Sequence, residues 1–103
     1  MFGVIFEAVV KPENEMAFID AWSETTHEMK KVYGHKGSRL HKSTDGKFFA
    51  YTVWQSREKW ENRFEIERPE SLNKAGSAMS SLTESFEVFL KLDVVKDILA
   101  PLD

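Results

Sequence analysis

From Gly37 to Trp60 the chain spells out strand, turn, strand and helix, with a suitable residue at each junction. Thr44-Asp45-Gly46-Lys47 supplies the positive-φ residues of a tight hairpin turn, between strands expected at Lys36 to Thr44 and Lys47 to Gln55. Ser56, directly after Trp54-Gln55, can cap a new helix through its hydroxyl oxygen. A hairpin feeding straight into a helix leaves few small folds open.

The flanking elements narrow the choice. Phe2 to Val10 is apolar on both faces, with Phe2, Val4, Phe6, Ala8 and Val10 on one and Ile5 and Val9 on the other. A strand covered on both sides fits that pattern, and Lys11-Pro12 ends it. From Glu13 to Val32, Phe18, Trp22, Thr25, Met29 and Val32 recur at helical spacing, and Gly34 stops the helix behind Lys30 and Lys31. Beyond Ser56, Trp60 and Phe64 are expected on one face, and Arg68-Pro69 ends or bends the element. Glu70 to Ser81 reads as a helix with Leu72, Ala75 and Met79 inward. Thr83 to Asp93 alternates, with Phe86, Val88, Leu90 and Leu92 on one side and Glu87, Phe89, Lys91 and Asp93 on the other. Asp93 to Leu99 adds a short terminal turn before Pro101.

The order β-α-β-β-α-β is the split arrangement of α+β ferredoxin-like folds, an antiparallel four-stranded sheet with both long helices on one face. At 103 residues it is expected to be one domain, 1–103. Large apolar residues on the face without helices would leave a patch that monomers rarely tolerate. A homodimer with facing sheets is therefore expected.

The formal net charge of −3 gives no electrostatic case for nucleic acid or an anionic membrane. Cysteine is absent, which excludes disulfides, thiol catalysis and thiolate metal sites. No His-x-x-x-His or carboxylate cluster suggests a metal, and no metal is expected. The N-terminus lacks a basic leader and no run has transmembrane length, so a cytoplasmic location is expected.

The order of elements, the Asp-Gly hairpin and Tyr51-Thr52-Val53-Trp54-Gln55-Ser56-Arg57-Glu58 resemble the antibiotic biosynthesis monooxygenase family of dimeric α/β-barrel proteins. That resemblance implies a cofactor-independent monooxygenase acting on a small aromatic or quinol-like metabolite, with no cofactor. The alternative is a non-catalytic homodimer of the same fold that binds a small apolar or aromatic molecule. The haem-degrading branch carries an Asn on the first strand, then a helical Trp and a His. Here those positions fall at Ile5 or Glu7, near Arg63 and near Asn73, so haem degradation is not expected.

Six residues form the candidate site. Glu7, on the face of Ile5 and Val9, has the setting of a general base, or of a sheet-end carboxylate paired with a Lys or Arg. His41, on the face of Arg39 and Ser43, is a candidate proton shuttle or an exposed hairpin residue. Arg63 would stabilise an enolate. Tyr51 and Trp54 would form an aromatic wall for a planar ligand, with Asn73 as a further substrate contact. His27 and His35 are read as a polar helix position and a loop position.

Overall fold

The computed structural model describes residues 1–99, as β1 (Phe2–Val9), α1 (Glu15–Tyr33), β2 (Gly37–Lys42), β3 (Phe48–Trp54), α2 (Arg57–Glu61), α3 (Glu70–Ser81) and β4 (Ser85–Asp93). The four strands form one antiparallel sheet in the order β2-β3-β1-β4. Each βαβ unit is thus split by a strand from the other half, which makes this a ferredoxin-like α+β fold. Residues 94–99 hold no helical turn, and Pro101 lies outside the described residues.

Local chemistry sets the junctions. Pro12–Asn14 forms one 3-10 turn into α1, and Gly34, at φ 69°, closes α1 by donating its N–H to Lys30 O. Ser56 caps α2 by accepting from the Lys59 amide. In the hairpin only Gly46 has a positive φ, of 87°. Gly46 N donates to Ser43 O and Ser43 N to Lys47 O, so the loop is a turn closed by a left-handed glycine rather than a two-residue turn. The Ser43 hydroxyl bonds the Asp45 carboxylate, which holds that carboxyl below its usual value, and Asp45 does not adopt a positive φ.

The core lies between the sheet and the helices in two clusters. Phe2, Val4, Tyr33, Trp54, Trp60 and Leu72 form one; Ala8, Val10, Phe18, Phe48 and Met79 form the other. Even-numbered residues of β1 and β3 therefore face the helices. Leu72, Ala75 and Met79 are the buried residues of α3.

Two expectations fail for physical reasons. Val88 pairs with Phe6 and Leu90 with Ile5, so Phe89 is an extra residue in the ladder. This bulge reverses the alternation beyond it. Phe86 and Val88 stay on the helix face, whereas Leu90 and Leu92 pass to the outer face with their partners Ile5 and Gly3. Phe64 does not share the inward face of Trp60. Because α2 stops at Glu61, the chain re-enters as a 3-10 turn at Arg63–Glu65, and Phe64 is 66% exposed.

Candidate functional site

Arg63 sits against the Trp60 ring on the helix face, near enough to Arg68 to feel its charge. Arg63, in the 3-10 turn after α2, donates from Nη1 to Trp60 O at 2.7 Å. Its guanidinium carbon lies 4.2 Å from the ring centroids of both Trp60 and Phe64. The short α2 explains this geometry: the tightened turn brings the rings of Trp60 and Phe64 around the Arg63 cation. Lys91 of β4 also lies over Trp60, at 5.5 Å.

Arg68 approaches from the segment before α3. Its Nη1 donates to Tyr33 Oη at 3.3 Å and its Nε to Asn73 Oδ1 at 3.0 Å. Burial pulls the Arg63 guanidinium below its usual value, Tyr33 opposes the shift and the charge of Arg68 adds to it. An arginine so placed stays charged at neutral pH. Among the described residues neither Arg63 nor Arg68 has a carboxylate partner; the recorded ion pairs use Lys31, Lys42, Lys47 and Arg57.

Aromatic residues floor this cationic site. Tyr33 packs on Trp54 with ring centroids 5.8 Å apart, and Trp54, Trp60, Phe2 and Leu72 share one core cluster. Trp54 is 1% exposed, and its Nε1 is buried without a partner among the described residues. Arg63, held against two rings with Arg68 nearby, is a cation that can face a delocalised oxyanion.

The sheet divides the six expected residues. Trp54, Arg63 and Asn73 gather on the helix side. Glu7, His41 and Tyr51 stand on the outer face, because odd-numbered positions of β1 and β3 and their partner His41 point there. Tyr51 and Trp54 differ by an odd number of residues in one strand, so they cannot form one aromatic wall. Glu7 pairs with Lys47 at 3.5 Å, and Phe49 lies between it and His41 in the ladder. Neither residue shares a face with Arg63.

Tyr33 and Arg68 escaped the sequence reading. Tyr33 follows Val32 at the end of a helical stripe already complete, and Arg68 read only as the residue before a helix-stopping proline. His35 keeps its loop position between α1 and β2 but is buried there. It is 2% exposed, packs 5.9 Å from Trp54 and accepts from the Gly37 amide at Nδ1.

Outside the helix side, a cavity of about 660 Å³ lies along the β2 edge, lined by residues that include Lys30, Lys36, Arg39, His41, Tyr51 and Asp97. No helix among the described residues is long and apolar enough to cross a membrane.

Comparison with known proteins reflects the same architecture. SnoaB from Streptomyces nogalater, a cofactor-independent oxygenase solved as a mutant, is similar with a TM-score of 0.73 and 12% identity, over 94% of this chain and 95% of that one. A Nitrosomonas europaea protein assigned as an antibiotic biosynthesis monooxygenase matches with a TM-score of 0.71 and 16% identity, over 93% of this chain and 100% of that one. A Caulobacter crescentus CB15 protein with the same assignment has a TM-score of 0.72 and 18% identity, over 92% and 90%. At such identities the likeness is one of fold. No curated protein sequence matches the chain. A family model described as antibiotic biosynthesis monooxygenase matches residues 1–66, from β1 through the turn that carries Arg63. The chain belongs to the antibiotic biosynthesis monooxygenase family.

Proposed function

We propose that the chain is a cofactor-independent monooxygenase that acts on a small aromatic or quinol-like metabolite and works as a homodimer. The observation that carries this reading is Arg63, set on the Trp60 and Phe64 rings with Arg68 nearby, neither arginine having a carboxylate partner among the described residues. Family membership and the likeness to SnoaB, a cofactor-independent oxygenase, support the cofactor-independent form.

The chemistry asked of such a site is modest. An activated methylene loses a proton, and its enolate lies against the guanidiniums. The carbanion passes electrons to dioxygen and forms a peroxide at the same carbon. Loss of water leaves a ketone, so one oxygen atom ends in product and the other in water. Arg63, held by Trp60 O and by two rings, needs no reorganisation as charge develops on the substrate oxygen. Tyr33, whose oxygen accepts from Arg68, is the group suited to handle the proton on this face. Glu7 and His41, on the other face, are not.

Oxygen uptake with anthrone as the probe tests the reading. Wild type should consume oxygen, Arg63→Gln should lose about a hundredfold in rate, and Glu7→Gln should match wild type. A second reading, a non-catalytic homodimeric binder, is favoured by one observation: Glu7, the expected base, is engaged by Lys47. Anthrone bound without oxygen consumption would select it.

A further inference from the structure

The cavity along β2 lies across the sheet from the arginine pair and is built differently. We infer that it is a second ligand site, which takes a small aromatic carboxylate. Its volume, about 660 Å³, is within the range of small-molecule sites. Three cations line it, Lys30, Lys36 and Arg39, against the carboxylate of Asp97. Among the described residues none of the three has an ion-pair partner. The cavity therefore carries an excess of positive charge within a protein of net charge −3.

Tyr51 also lines it. The Tyr51 ring reaches over β1 at Gly3, so closely that a Cβ at Gly3 would stand 2.6 Å from Tyr51 Cε2 and 2.9 Å from its oxygen. Gly3 has no positive φ, so its missing side chain matters here for room and not for backbone freedom. Arg39 is the ladder partner of Tyr51 and shares its face. An aromatic ring stacked on Tyr51 would bring a carboxylate substituent to the Arg39 fork, which binds such groups through two parallel hydrogen bonds.

The outer face is divided to suit. Arg39, His41 and Tyr51 occupy its β2–β3 half, while Ile5, Leu90 and Leu92 occupy the β1–β4 half. Phe49 and Val53 of β3 share that outer face, and Val53 lines the cavity, but Ile5, Leu90 and Leu92 do not.

Naphthalene-2-carboxylate is the probe. Calorimetry on the full chain should give saturable one-site binding, and amide shifts should concentrate at Arg39, Tyr51 and Val53. Arg39→Gln should weaken binding about tenfold, and Arg63→Gln should leave it unchanged. Naphthalene-2-carboxamide, which requires no variant, should bind wild type about tenfold more weakly than the acid. Absence of binding at millimolar probe, equal affinity for acid and amide, or loss with Arg63→Gln but not with Arg39→Gln would each overturn the proposal.

Discussion

His35 makes two hydrogen bonds that together require a neutral ring. Nδ1 accepts from the Gly37 amide, so the hydrogen sits on Nε2 and is given to Thr26 O. Burial pulls its pKa below 6.5, the Thr26 carbonyl opposes the shift, and the nearby charge of Lys30 adds to it. The unfolded chain protonates this histidine more readily, so it binds more protons than the folded chain as pH falls. Stability should therefore decline once pH drops below 6.5, until the folded state protonates as well. Urea midpoints measured from pH 8 to pH 5 should fall, and His35→Gln should flatten the profile while lowering its plateau. An unchanged slope in the variant would remove His35 as the cause.

At the scale of elements, the contact between β1 and β3 at Gly3 and Tyr51 is close enough for a substitution to probe. The Gly3→Ala methyl would meet the Tyr51 ring and force it off the strand. Because the atoms met are the far end of a half-buried side chain, the cost should lie at the low end of overpacking, about 1 kcal/mol. In a Tyr51→Ala background the same change should be nearly neutral, so a double-mutant cycle by chemical denaturation isolates the clash. A penalty unchanged in the double variant would place the strain in the backbone. The β4 bulge works at the same scale. By adding Phe89 to the ladder it sends Leu90 and Leu92 outward, where Phe89 packs edge-on against Phe49 at 5.4 Å. One extra residue thus decides how apolar the outer face is.

For the whole molecule that face bears on the proposed homodimer. Phe89, Leu90 and Leu92 are 53%, 44% and 39% exposed, and Ile5 stands in the same ladder. Pairing two such faces about a twofold axis would bury them and leave the helices outside. Native mass spectrometry should find twice the 11.9 kDa chain mass. Leu90→Lys with Leu92→Lys should shift the population to monomer while keeping the circular dichroism of wild type. A wild-type monomer would sink the facing-sheet arrangement; it would leave the test of Arg63 standing, because that residue lies on the helix face.

Much of this was legible in the sequence. Element order, the caps at Gly34 and Ser56 and the inward stripe of α3 depend on residues a few positions apart, and there local chemistry decides. Arg63 and Asn73 were also marked, although their connection through Arg68 and Tyr33 was not. Contacts between residues far apart in sequence leave no local period to read. The split of Tyr51 from Trp54 followed from strand parity and was available from the start. The reversal of β4 was not, because a bulge exists only relative to the strand it pairs with. The sequence by itself determined the elements and their order, through capping, turns and hydrophobic spacing. Only the tertiary structure decided which side chains share a face, because register, bulge and the short α2 are set by packing between distant segments.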